Sequence, residues 1–233
     1  MPVTKDINQY YDDLAADYDR SRFANSYGQF LHHQEARILS DWLPADPSRT
    51  ASLGCGTGRF LEHATCGVDL SGPMLAQARD KYPQHHLIQA DLTKLPFDAN
   101  SFRAAFCLHV LMHLPPETAR AALIEAARVI EPDGVLMVDI PSARRRKLSS
   151  NSTADPQRWH GASAYTLDEW RQLIAPHWRV ETWVGIKWLP VHRVPKPLRP
   201  LLWRPLLACD HLLCRSRLKP WASYWMFKLR RIA

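Results

Sequence analysis

The chain is 233 residues long, 46% hydrophobic and carries a formal net charge of +7, which suits one α/β domain with a sizeable core. No segment approaches the roughly 20 uninterrupted apolar residues of a membrane-spanning helix, and the N-terminus lacks the charged start and apolar run of a signal peptide, so a cytoplasmic chain, or one peripheral on a membrane, is expected. The five cysteines, Cys55, Cys66, Cys107, Cys209 and Cys214, form no CxxC pair and have no histidines at zinc-ligand spacing, which suggests neither a disulfide framework nor a structural metal.

In chain order, residues 7–22 and 26–43 read as helices, the second stopping before Pro44 with Phe30, Leu31, Ile38, Leu39, Trp42 and Leu43 at near-helical spacing. Alternation follows: strand 50–53, helix to about 64, strand 66–69, helix 72–81, strands 86–89 and 103–108, helix 117–130 and strand 134–140. Such βα repetition predicts a parallel sheet with helices on both faces and a ligand site at the carboxyl ends of the strands. Residues 141–164, with Arg144-Arg145-Arg146-Lys147 and a Ser/Asn/Thr-rich run, read as a loop. Thr166 and Glu169 then open a helix as a capping box, a strand spans about 178–188, and Tyr224–Arg230 forms the last strand.

The most informative stretch lies at the first two strands. Gly54, Gly56 and Gly58 sit between a short apolar strand and a helical run, where the chain can turn sharply and bring backbone against a ligand with no Cβ in the way. Asp69 follows Gly67-Val68 at the end of the second strand, where a carboxylate can accept from both hydroxyls of a ribose. The acid comes only eleven residues after the last glycine, and the pattern is GxGxG rather than GxGxxG, so dinucleotide binding is the weaker reading.

With Pro73–Arg79, Gln89-Ala90-Asp91-Leu92, Leu95–Asp98, Ala105–Leu114 and Ala127–Leu136 in order behind it, this stretch resembles the class I S-adenosylmethionine-dependent methyltransferases. The subgroup is the broad one of quinone-biosynthesis, small-molecule and some tRNA wobble-base enzymes. The likeness covers about residues 8–141 and includes Tyr11-x3-Ala15-x2-Tyr18-Asp19. It departs at Pro132-Asp133-Gly134, where Pro-Gly-Gly is usual, and in the short interval from Gly58 to Gly67, which implies a clipped first helix.

The resemblance implies a Rossmann-like seven-stranded α/β sheet with helices on both faces and an antiparallel last strand between the fifth and sixth. It implies S-adenosyl-L-methionine as cofactor, with Gly54, Gly56 and Gly58 along its methionyl portion and Asp69 at the ribose. Leu70 and Leu92 would flank the adenine and Asp91 would accept from its amino group. Tyr18, Cys55, Met74 and Leu108 complete the expected cofactor set, and Tyr11 and Tyr18 either close over the cofactor or pack helices. No metal is expected. One domain results: N-terminal helices 1–45, cofactor core 46–141, a substrate-side loop, helix and strand 142–188, an insertion 189–220 and the last strand 221–233.

Transfer from a sulfonium asks the protein mainly to orient donor and acceptor and exclude water. His109 and His113, after the fourth strand, are the candidate catalytic bases for a phenol or hydroxyl; His160, Tyr165 and His192 are substrate-side candidates. No aromatic tetrapeptide of the kind found in amino-group nucleic-acid methyltransferases is present.

Charge is uneven. From Lys187 onward eleven Lys and Arg stand against Asp210 alone, so this segment carries +10 and the first 186 residues −3. Within 189–220 apolar and basic residues interleave, with prolines expected to break the segment into short helical pieces. Three readings stay open: leucines capping the sheet or a dimer interface with solvated arginines, contact with an anionic membrane, or contact with RNA. Methyl transfer to oxygen or carbon of a small or lipid-linked acceptor leads, with a tRNA methyltransferase and a non-catalytic cofactor-binding subunit as alternatives.

Overall fold

The computed structural model describes residues 3–147, 163–195 and 198–232. Its strands are β1 (Thr50–Leu53), β2 (Cys66–Asp69), β3 (His86–Gln89), β4 (Phe102–Cys107), β5 (Ile130–Pro141), β6 (Trp178–Ile186) and β7 (Tyr224–Arg231). Its helices are α1 (Val3–Leu14), α2 (Tyr18–Arg22), α3 (Ser26–Trp42), α4 (Gly72–Lys81), α5 (Pro116–Val129), α6 (Ala143–Lys147), α7 (Leu167–Ile174) and α8 (Arg199–Arg215).

All seven strands join one sheet in the order β3-β2-β1-β4-β5-β7-β6. The β1–β5 pairs are parallel, and β7 runs antiparallel between β5 and β6. Every residue of β1 is buried, as expected of a central parallel strand covered on both faces. One face packs Leu123 and Ala126 of α5 and Trp170 and Leu173 of α7; the other packs Leu31, Ile38 and Leu39 of α3 with Leu75 and Ala78 of α4.

Local chemistry fixes the helix ends. The Asn25 side chain accepts from the Tyr27 and Gly28 amides to start α3, and Ser71 accepts from the Met74 amide to start α4. Thr166 and Glu169 form the expected reciprocal capping box of α7.

Three expectations change. The helix expected up to residue 64 is only a 3₁₀ turn, Leu61–His63, because residues 59–65 are too few for an α-helix plus a return to β2. Helix α3 covers that face instead, with His32 stacked on Phe60 at a centroid distance of 5.0 Å. The start of the 141–164 loop is helical, as α6, while its Ser/Asn/Thr-rich run lies outside the described residues.

The insertion holds one 17-residue helix, α8, rather than short pieces. Pro200 occupies its first turn, where no amide donor is needed, and Pro205 lies on its exposed side, where water can take the carbonyl left without a partner. Strand β6 runs parallel to β5, so this insertion leaves the sheet at the same edge as the glycine loop. No helix among the described residues is long and apolar enough to cross a membrane.

Candidate functional site

A cavity lies at the carboxyl ends of β1, β2 and β4, floored by Gly54, Gly56 and Asp69. Gly54 (φ +73°) and Cys55 donate their amides to the Val68 carbonyl at 2.7 and 2.9 Å, which folds the loop back over β2. A Cβ on Gly54 would come within 2.3 Å of Val110, whereas one on Gly56 (φ +54°) would meet nothing within 4 Å. Gly54 therefore serves packing, and Gly56 keeps a cradle clear.

The Gly56 amide also donates to Asp69 Oδ2 at 2.7 Å, and the Ser71 amide donates to Oδ1 at 3.0 Å. Each oxygen retains a lone pair for a ligand. Burial raises the carboxyl of Asp69 against the pull of these backbone amides.

Leu70, Met74, Leu92 and Leu108 give the cavity apolar walls, with Asp91 at its rim. Asp91 Oδ1 is engaged by the amide and hydroxyl of Thr93, both at 2.8 Å, which orients the carboxylate from its own loop. Cys55 and Gly58, grouped with the cofactor residues from sequence, do not line the cavity. Cys55 Sγ lies behind the loop against Gly67, and Gly58 (φ +85°) turns the chain beside Leu61 and Tyr82.

The N-terminal segment closes over this floor. Asp12 accepts from the Ser71 hydroxyl at 2.5 Å, and Asp19 accepts from Thr57 at 2.6 Å while pairing with Lys81 at 2.6 Å. These bonds set Tyr11 and Tyr18, in edge contact, into the cavity wall. The Tyr11 hydroxyl and His113 Nε2 share a hydrogen bond of 2.9 Å. Burial first, then Tyr18, raises the Tyr11 phenol, so it stays protonated.

His109 stands differently from its expected role as a base. Its backbone is left-handed (φ +59°), its amide donates to Asp139 Oδ1 at 2.6 Å, Nε2 lies 2.6 Å from Glu35 Oε1 and Nδ1 lies 3.2 Å from Asp139 Oδ2. Both carboxylates are buried, and Arg59 adds a 2.6 Å bond to Glu35. Burial opposes charge on the ring, but Asp139 and then Glu35 outweigh it and raise the imidazole above its usual range. Burial likewise works against the Glu35 carboxylate, yet Arg59 and His109 hold it down at about 2. Nε2 is taken by Glu35 and Nδ1 faces Asp139 Oδ2, a buried oxygen without a hydrogen bond, so carboxylates flank the ring on both sides, and Glu35, His109 and Asp139 converge closely enough to suggest a metal site.

Sequence reasoning missed Glu35, Arg59 and Asp139. The signal was present: Glu35 sits on the buried face of α3 between Leu31 and Ile38, and Asp139 interrupts the apolar run of β5. Tyr165 is buried against Trp170 and does not reach the cavity; His160 lies outside the described residues, and His192 falls in a 3₁₀ turn.

A seven-stranded sheet with this strand order, and β7 antiparallel between β5 and β6, defines a Rossmann-like fold. Residues 51–138 match the family model described as a methyltransferase domain. The chain is 28% identical to a tRNA (carboxymethyluridine(34)-5-O)-methyltransferase of Arabidopsis thaliana over 71% of this chain and 39% of that protein. It is 37% identical to the malonyl-[acyl-carrier protein] O-methyltransferase of Salmonella typhimurium over 53% of this chain and 51% of that one. It thus spans about half or less of these relatives' own length. The geranyl diphosphate C-methyltransferase of Streptomyces coelicolor, solved with S-adenosyl-L-homocysteine, shares the fold with a TM-score of 0.66 and 17% identity, covering 100% of this chain and 99% of that one. Residues 51–138 thus resemble the methyltransferase domain family, and the whole chain shares its fold with solved S-adenosylmethionine-dependent methyltransferases. The open cradle at Gly56, the doubly oriented Asp69 and the apolar walls fit that family's cofactor.

Proposed function

We propose that this chain is a methyltransferase acting on an oxygen or carbon of a small or lipid-linked acceptor. The observation that carries this is the convergence of Gly56, Asp69, Asp91 and the His113–Tyr11 pair on one cavity. S-adenosylmethionine supplies an electrophilic methyl already activated by its sulfonium. Asp69 takes the ribose hydroxyls, Asp91 the adenine amino group, and Leu70 and Leu92 the adenine faces. Met74 and Leu108 line the remainder, Gly56 admits the methionyl end, and Tyr18 with Tyr11 shields it from water.

His113, coupled to Tyr11, is placed to take a proton from an acceptor hydroxyl, while His109 positions the loop after β4 by holding α3 and β5 together. The exposed leucines and cations of α8 favour work at an anionic membrane surface.

A second reading, a tRNA methyltransferase, is favoured by the activity for which the Arabidopsis relative is named and by the basic segment after Lys187. Incubating purified protein and cell extract with methyl-labelled S-adenosylmethionine, then separating organic and RNA fractions, decides between them. Label in the organic phase supports a hydrophobic acceptor and label in RNA supports the second reading. Label in neither, with S-adenosylhomocysteine binding intact, defeats the catalytic proposal.

A further inference from the structure

A second recess of about 580 Å³ lies away from the cofactor cavity, between α3 and α8, within the range that small-molecule sites occupy. Its cationic and aromatic lining is Arg37, Arg204, Arg215, His33, His211 and Trp203, and no carboxylate lines it. Among the described residues neither Arg37 nor Arg204 has an acidic partner, and Arg215 reaches Asp41 only at 3.8 Å. Arg215 spends one guanidinium nitrogen on the His211 ring at 2.6 Å. Three guanidinium groups held in one concavity, with the 3.8 Å contact of Arg215 to Asp41 as their one ion pair among the described residues, repel one another. Burial and then Arg37 lower the Arg215 guanidinium, and burial and then Arg215 lower His211. A bound anion would relieve both.

The walls are firmly built. Asp210, fully buried in the middle of α8, accepts from the Gln34 side chain of α3, from the Leu189 amide at 2.5 Å and from Cys214 at 3.1 Å. Trp203 packs edge-on against Phe30 at 5.6 Å. These contacts fix α8 along α3 and turn its opposite side outward, where Leu201 is 78% and Leu212 70% exposed. Leu198, Leu202 and Leu218 are exposed on the same segment.

Cations in a recess bordered by outward leucines match one occupant better than any other: a phosphate with hydrocarbon beside it. RNA offers the phosphate but nothing for the leucines to enter. The geometry points to the recess between α3 and α8 as the seat of an anionic phospholipid headgroup, with Leu201 and Leu212 entering the acyl boundary around it. This rests on the membrane reading above and sharpens it to named residues.

The test is flotation of the full chain with vesicles of phosphatidylcholine alone or mixed with phosphatidylglycerol. Each cation withdrawn from an anionic surface weakens partition roughly fivefold, so R37Q/R204Q/R215Q is expected to lose on the order of hundredfold on mixed vesicles. The control R193Q/R217Q, outside the recess, is expected to lose no more than the roughly 25-fold of two surface cations. L201S/L212S should weaken partition at least tenfold per leucine. All three variants should keep S-adenosylhomocysteine affinity, which reports the fold.

Glycerol 3-phosphate should compete with the mixed vesicles for the wild type. Partition that survives the triple variant overturns the headgroup seat while leaving the membrane reading standing. No partition by the wild type overturns both. Binding of inorganic phosphate that depends on the three arginines, without vesicle binding, shows a soluble-phosphate site and overturns the lipid assignment, as does tighter, salt-sensitive binding to tRNA through the same residues.

Discussion

Replacing Glu35 by Gln isolates the buried network around His109. The native carboxylate receives two charge-assisted bonds of 2.6 Å, from Arg59 and from His109. A glutamine offers one carbonyl oxygen, so it can serve only one cation and turns an N–H₂ toward the other. Arg59 is poorly able to compensate, because its Nη1 already lacks a hydrogen-bond partner and its remaining support is the rings of Phe23 and Phe60, at 4.2 and 4.3 Å. Breaking one side of a buried ion pair costs about 3–5 kcal/mol, and for a chain of this size that lowers Tm by roughly 10 °C.

Thermal unfolding at neutral pH, followed by far-ultraviolet circular dichroism, measures the loss. The acid limb gives an independent check. The Glu35 carboxyl is depressed from 4.5 to about 2, so its contribution is fully present above pH 4.5 and disappears as pH falls through about 2. E35Q should lack that component of the acid limb. A Tm within about 3 °C of wild type, well inside the change expected for a lost buried pair, together with an unchanged acid limb, would refute the network as a structural element.

Asp69→Ala removes the acceptor of the Gly56 and Ser71 amides as well as the proposed ribose contacts, and should weaken S-adenosylhomocysteine binding on the order of hundredfold by calorimetry; a loss under fivefold would place the nucleoside elsewhere. Gly54→Ala should fail to give a stable fold because of the 2.3 Å approach to Val110, whereas Gly56→Ala should cost only about 1–2 kcal/mol of left-handed strain yet still reduce cofactor affinity; equal stabilities would contradict the division of labour between the two glycines. With a hydroxyl acceptor, His113→Asn should lower kcat by roughly 10²–10⁴ without altering cofactor affinity, and an unchanged kcat would reduce His113 to packing.

The parts of the site that the sequence revealed are those held by neighbours along the chain. The Gly54–Gly58 turn and Asp69 lie within a stretch of 16 residues, and α4 and β3 run over the expected residues 72–81 and 86–89. The network at His109 was hidden because it joins α3, the loop after β4 and β5, across sequence separations of 74 and 30 residues. Nothing at Glu35 announces a partner so far away, except that a charge on a buried helix face requires one. Prolines at 200 and 205 suggested breaks in α8, but the cost of Pro205 depends on whether the carbonyl it leaves unpaired faces water, and that is decided by which side of α8 packs on α3.

The N-terminal straps also tie the two sides of the cavity together. Asp12 and Asp19 fasten this segment to Ser71 at the start of α4, to Thr57 in the glycine loop and to Lys81 at the end of α4. The cover that Tyr11 and Tyr18 provide over the cavity therefore hangs on three short polar bonds from one end of the chain, and loss of those bonds would uncover the glycine loop and Asp69 together.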